Sequence, residues 1–389
     1  MEKLIQRFQA LLETTDTGFL RYNHQLINWD DRMKALVGAR GVGKTTLLLQ
    51  HIKLNLSTKD TLYVSADDFY FTEHRLLDFA ETFHRMGGRN LFVDEIHKYA
   101  GWSKEMKLIY DYLPNLNVTF TGSSILDIFK GTDDLSRRVL LYRMPGMSFR
   151  EYLNKQFQLN LPAYSLEQIL NQEVKATGVK FPLATFKEYL INGYYPFAEQ
   201  GNYEERLLQI INATLETDIP LFAGLNASTA IKLKRLMAIL AQSVPFKPNY
   251  SKLAEIMSID RQTLADYIVY MEKAGLLKQL YGATGGIRGL GKVNKLYLEN
   301  TNLAYLLGKD KPDIGNIRET FFFNQVSINN DILSSSQSDF QVNGCTFEIG
   351  GRKKGNDQIQ GLCKAFIVKD DIEYGFGNTI PLWHFGFLY

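Results

Sequence analysis

Cysteine is nearly absent. With only Cys345 and Cys363 in 389 residues, and no C-x-x-C pair between them, neither a disulfide framework nor a structural zinc site is expected, and a reducing cytoplasmic compartment fits. Excess charge is missing too. A formal net charge of +2 gives no overall pull toward nucleic acid or an anionic membrane. No stretch approaches the roughly 18 uninterrupted apolar residues of a membrane span. Met1 to Ala10 carries no signal-peptide pattern, so the expectation is a cytoplasmic protein with no membrane partner. Coiled-coil heptads, internal repeats and low-complexity tracts are also lacking. What remains is a hydrophobic fraction of 45%, ordinary for a globular protein and enough for two or three domains with their own cores.

The most informative stretch is Gly38-Ala39-Arg40-Gly41-Val42-Gly43-Lys44-Thr45, a complete G-x-x-x-x-G-K-[S/T] phosphate-binding loop (Walker A) followed by Thr46. It follows an apolar run (Ala35, Leu36, Val37) and precedes a helical one (Leu47, Leu48, Leu49), the strand–loop–helix setting this chemistry needs. The glycines free the backbone to turn N–H groups inward at phosphate oxygens. Lys44 is expected to reach the β- and γ-phosphates of ATP, and the Thr45 hydroxyl to ligate Mg²⁺.

Asn90-Leu91-Phe92-Val93-Asp94-Glu95 is an apolar run ending in two carboxylates, the Walker B pattern. Asp94 is expected at the metal and Glu95 at the attacking water. Val118 to Ser124 ends a further strand in small polar groups, of which Thr121 or Ser123 suits contact with the γ-phosphate or the water, Ser123 being preferred. Structurally, Gly122-Ser123-Ser124 also suits a helix cap. Arg137 and Arg138 follow, Arg138 being the better candidate to stabilise transition-state charge from a neighbouring subunit, which makes a homo-oligomer an expected partner. His97, beside the acids, is placed to sense the γ-phosphate, but a lone His there reads more readily as a packing or surface residue.

Strand-like runs at Ala35–Val37, Leu62–Ser65, Leu91–Val93, Val118–Thr121 and Val139–Tyr142 alternate with helical stretches. This spacing predicts an α/β domain over residues 1–150, a parallel sheet with helices on both faces. Residues 151–227 read as helical. Within 228–308, a helix from Ser251 to Met257, a turn, and a helix from Arg261 to Lys273 capped by Asp260 precede strands from Leu276 and over Val293–Leu298. Helix, turn, helix and hairpin form a winged-helix pattern. Residues 228–311 hold thirteen Lys and Arg against six Asp and Glu. Arg288, Lys292 and Lys295 fall on the wing, and Arg261 and Gln262 open the second helix, so double-stranded DNA is a candidate partner. Packing against the nucleotide domain or a protein partner is the alternative.

In residues 309–389, Glu319, Asp339 and Glu348 are spaced in a way that resembles the metal-binding core of the PD-(D/E)xK nucleases, with Asp339 and Glu348 as a second metal pair. Those enzymes carry Lys two positions beyond the second acid, where this chain has Gly350. Arg352, Lys353 or Lys354 could reach in from the following loop, assisted by Gln358.

Taken together, GARGVGKTTLLLQHIK, LFVDEIHK, TFTGSS, LSRRVLLYRMPGMSFREYL, FKEYLINGYYPF and LETDIP resemble the bacterial and archaeal AAA-type ATPases that join an ATPase to a nuclease fold and carry a C-terminal domain of unknown function. The likeness runs through nearly the whole chain. It implies a P-loop sheet in the order 5-1-4-3-2 and a small α+β restriction-endonuclease-like tail. The expected activity is ATP hydrolysis to ADP and phosphate coupled to a partner. The alternatives are a slow nucleotide-switched regulator and a metal-dependent DNA nuclease.

Overall fold

The structure is a computed structural model and describes residues 1–122, 135, 137–243, 245–282, 293–308, 312–355 and 357–389. Ser123 and the expected wing residues Arg288 and Lys292 lie outside the described residues. The chain divides into two compact units, Met1–Gly146 and Met147–Tyr389.

The first unit is organised by five short apolar runs. Each becomes a strand: β1 (Met33–Val37), β2 (Thr61–Ser65), β3 (Asn90–Asp94), β4 (Asn117–Gly122) and β5 (Leu140–Arg143). Every adjacent pair is parallel, in the order β2-β3-β4-β1-β5. This is the expected 5-1-4-3-2 order viewed from the other edge. A parallel sheet covered on both faces calls for largely apolar strands, and β1 is buried along its whole length, its one charged residue Lys34 included. Helix α1 (Glu2–Thr14) buries Leu4, Phe8 and Leu12, a stripe at helical spacing. Helix α2 (Lys44–Asn55) follows β1, α3 (Leu76–Arg85) follows β2, and α4 (Trp102–Tyr112) follows β3. Because the chain leaves β1 mid-sheet and returns at the far edge as β2, the carboxyl end of β1 opens at a topological switch point, where open α/β sheets bind ligands.

The second unit begins with α5 (Phe149–Phe157), held by a capping box between Ser148 and Glu151. Helices α6 (Pro182–Asn192) and α7 (Tyr203–Ala213) follow. Next come α8 (Ala227–Ala241), α9 (Tyr250–Met257) and α10 (Arg261–Lys273), then an antiparallel hairpin of β6 (Leu277–Tyr281) and β7 (Val293–Leu298). Asp260 accepts from Thr263 N–H at 2.9 Å, the cap expected from sequence. The unit closes with α11 (Thr301–Leu307), α12 (Ile314–Val326) and a mixed sheet. Its strands are β8 (Ile332–Ser334), β9 (Phe340–Val342), β10 (Cys345–Gly350), β11 (Ala365–Lys369) and β12 (Thr379–Pro381), in the order β12-β11-β10-β9-β8. Phe149, Phe186, Tyr189, Phe321 and Phe387 pack edge to face or tilted in its core.

Candidate functional site

The loop between β1 and α2 is shaped by backbone that only glycine supplies cheaply. Gly41 and Gly43 have φ of 80° and 98°, in the left-handed region. Gly38 is constrained differently. Met144 N–H bonds to Val37 O at 2.7 Å, drawing the chain after β5 so close that a Cβ on Gly38 would sit 2.3 Å from Met144 O. Arg21, buried, braces the same region by donating to Val42 O at 2.5 Å and Pro145 O at 2.8 Å. Ala39, Arg40, Gly41 and Gly43 are half-exposed and Thr46 is exposed, while Val42 is buried as an anchor.

Helix α2 starts at Lys44 with Gly43 as its N-cap and no side-chain cap. Its first turn therefore directs N–H groups and the positive end of the dipole at the loop. Lys44 is buried, and its ammonium donates to Gly38 O at 2.8 Å and Ala39 O at 2.9 Å. Folded over the loop in this way, it stands where a polyphosphate lying in the loop would meet it.

Thr45 Oγ1 donates to Asp94 Oδ2 at 2.6 Å, so the first turn of α2 meets the end of β3. A hydroxyl and a carboxylate side by side next to a glycine loop form a hard-oxygen donor pair. It fits Mg²⁺, which is bound by one or two protein oxygens and takes its other ligands from phosphate and water. Asp94 is buried and has two further donors: Tyr63 OH to Oδ2 at 2.7 Å, and Thr121 Oγ1 to Oδ1. Burial first, and Asp94 second, push the Tyr63 phenol far above its ordinary range, so it stays protonated and donates.

Glu95 follows in the left-handed conformation (φ 51°), with its N–H on Thr121 Oγ1 at 3.2 Å. Its carboxylate lies 3.4 Å from Nε2 of His97, whose side chain is fully buried. His97 thus touches the acid that sequence reasoning paired with water. Thr121 has its hydroxyl committed to the two adjacent acids, and Ser123 lies outside the described residues. Arg138 forms a two-pronged ion pair with Asp111 of α4, at 2.9 and 3.1 Å, within its own chain; Arg137 is exposed. Tyr63 and Arg21 were missed from sequence. Neither belongs to a motif, and only strand register reveals that Tyr63 lies two residues before Ser65, the partner of Asp94.

In the second unit, Arg261 and Gln262 are exposed at the start of α10. With Lys247, Tyr250 and Tyr281 they line a groove of about 1040 Å³. Lys295, expected to face a partner from the wing, is instead turned to Glu319 at 2.9 Å and Asp339 at 3.8 Å. In the tail, Lys354 fills the place left by Gly350. Its Nζ lies 2.5 Å from Glu348 Oε1 and donates to Gln358 Oε1 at 2.7 Å, while Arg352 and Lys353 are exposed. Asp339 accepts from Ile349 N–H at 2.9 Å and is pushed up to about 6, chiefly by burial and then by Glu319. Among the described residues no three His, Cys, Asp or Glu side chains group to hold a metal ion. Each member of the expected second metal pair, Asp339 and Glu348, has an ammonium within 4 Å, Lys295 at 3.8 Å and Lys354 at 2.5 Å.

Residues 30–153 match the family described as an AAA domain, and residues 183–313 match a domain of unknown function, DUF8612. The AAA-domain match covers most of the first unit, whose five-stranded parallel sheet is consistent with a P-loop fold. Two proteins of Methanocaldococcus jannaschii are similar. The uncharacterized protein MJ1637 is 29% identical over 266 residues, covering 63% of this chain and 56% of that one. The uncharacterized protein MJ1544 is 23% identical over 260 residues, covering 64% and 56%. The chain thus spans little more than half the length of these relatives. A solved katanin chain, from work on katanin self-assembly, aligns over 40% of this chain and 57% of its own at 15% identity, with a TM-score of 0.27. No helix among the described residues is long and apolar enough to cross a membrane.

Proposed function

We propose that the protein binds ATP with Mg²⁺ on residues 38–46 and hydrolyses it to ADP and phosphate. The observation that carries this reading is the 2.6 Å contact of Thr45 with Asp94 beside the glycine loop. Lys44 and the loop N–H groups bind the phosphates, Thr45 and Asp94 hold the metal, and Glu95 orients the attacking water and takes its proton. Mg²⁺, when bound, neutralises charge on the β- and γ-phosphate oxygens. Ser123 is assigned to the γ-phosphate. Phosphate release assays on wild type and Glu95→Gln test the reading, with slow turnover and retained ATP binding expected in the variant.

Nucleotide state is proposed to act on a partner through residues 228–308, a winged helix in this reading, with duplex DNA as the candidate. Exposed Lys247, Lys252, Arg261 and Lys273 support it. Against it, Lys234, Lys278 and Lys295 are paired within the fold. Stimulation of ATP turnover by duplex DNA, lost as salt rises, is the expected result; a protein partner is favoured if DNA has no effect.

One observation favours a second reading, a slow nucleotide switch. Arg138 is engaged by Asp111 of its own chain, whereas a fast oligomeric ATPase would need it on a neighbour's phosphate. The tail is read as a nuclease-like fold that does not cleave.

A further inference from the structure

The carboxylate of Asp94 is surrounded on three sides by hydroxyl donors from three different elements. Thr45 Oγ1 at 2.6 Å comes from α2, Tyr63 OH at 2.7 Å from β2, and Thr121 Oγ1 from β4. Strands β2 and β4 are the two neighbours of β3. Ser65 pairs with Asp94 in the register of β2 and β3. Tyr63, two residues earlier, shares the face of Ser65, and its long side chain brings the hydroxyl level with the carboxylate. Its ring is fixed in turn by Phe8 of α1, with centroids 6.5 Å apart and planes 25° from parallel. Asp94 is buried, so each donor counts: a hydrogen bond to a buried carboxylate is neither replaced by water nor cheaply lost.

We infer that Tyr63 is a positioning residue for the metal-binding carboxylate. It acts with Thr121 to fix the rotation of Asp94 so that one lone pair of Oδ2 faces Thr45 and the bound Mg²⁺. A carboxylate offers about four acceptor positions. Tyr63 and Thr121 take one on each oxygen, and Thr45 of the loop-side helix takes a second on Oδ2. Outer-shell partners of this kind commonly tune metal affinity by about 10- to 100-fold. The inference rests on the ATP·Mg²⁺ reading of the site. It adds a residue outside both phosphate-site motifs, on a strand that supplies no other group to the site.

A buried tyrosine whose hydroxyl merely needs a partner would behave differently. Calorimetric titration of the full-length protein with a non-hydrolysable ATP analogue, in EDTA and across a range of Mg²⁺, separates the two. Tyr63→Phe keeps the ring against Phe8, and Thr121→Val removes the donor on the other oxygen. The expected result is analogue affinity in EDTA within about two-fold of wild type for both variants, with the tightening given by Mg²⁺ reduced by roughly 10-fold. Asp94→Ala should lose that tightening altogether. Full Mg²⁺ tightening in Tyr63→Phe overturns the inference alone. Equal weakening with and without Mg²⁺ also overturns it, since the tyrosine would then support the pocket, not the metal. No analogue binding by wild type overturns the ATP reading and this inference with it.

Discussion

Lys354 lies with its ammonium 2.5 Å from Glu348 Oε1, and its side chain runs through the space that a side chain on Gly350 would need, 2.6–2.9 Å from the ideal Cβ position there. A lysine from the next loop thus occupies the space beside Glu348, where it is spent on an ion pair. Glu348 is almost fully buried, and among the described residues its Oε2 has no hydrogen-bond partner, so the Lys354 ammonium is the contact that offsets its burial. Lys354→Ala should therefore destabilise the protein. The loss is put at about 1–2 kcal/mol, below the usual cost of breaking a buried pair because the lysine itself is a third exposed. A denaturant titration reads this directly, and an unchanged midpoint would contradict it.

The same pairing predicts that supercoiled plasmid stays intact with the protein in Mn²⁺ or Mg²⁺. Nicking that disappears in Asp339→Ala would show instead that the acids gather a metal despite their lysines.

Acid carboxylates of the second unit also set a pH dependence. Glu299 is pushed up from 4.5 to about 7 by burial, only partly offset by Lys278, which lies 3.8 Å away. Between these two values the folded state holds a proton that the unfolded chain has released, so stability falls as pH rises from about 4.5 to 7 and stays low above. The contribution lost is on the order of 3 kcal/mol. Asp339, raised from 3.8 to about 6, adds in the same direction. Thermal melts from pH 5 to 8 should show a falling midpoint, flattened in Glu299→Gln. A variant with the wild-type slope would assign the dependence elsewhere.

Arg138 offers a test between the two nucleotide readings. If its pair with Asp111 persists in the working state, Arg138→Ala changes the ATP turnover rate less than two-fold at any protein concentration. If Arg138 leaves Asp111 to reach a neighbour's phosphate, the variant should be slower by about 10³-fold. The wild-type rate per molecule should then also climb with concentration.

The parts of the structure that the sequence displayed are those governed by local rules. Parallel strands buried on both faces are rich in apolar residues, so β1 to β4 could be placed from Ala35–Val37, Leu62–Ser65, Leu91–Val93 and Val118–Thr121 to within one or two residues, although threonines interrupt the last. The helix from Arg261 to Lys273 was legible through its Asp260 cap. Groups brought in over distance were not. Tyr63 looks like any aromatic in a strand until the register sets it beside Asp94, and Arg21 touches the phosphate loop from an irregular segment. Choosing Lys354 over Arg352 and Lys353 needs the loop's path, which adjacent cations do not encode. Lys295 read as a wing cation because sequence cannot show that Glu319, on a later helix, faces it.

The central claim, a glycine loop that holds ATP through Lys44 with Thr45 and Asp94 on the metal, is tested most directly by calorimetric ATP binding in Mg²⁺ to wild type, Lys44→Ala and Glu95→Gln. The account predicts saturable binding to wild type and to Glu95→Gln, which should turn over about 10²- to 10³-fold more slowly, and no detectable binding to Lys44→Ala. Equal affinity of Lys44→Ala and wild type would contradict it.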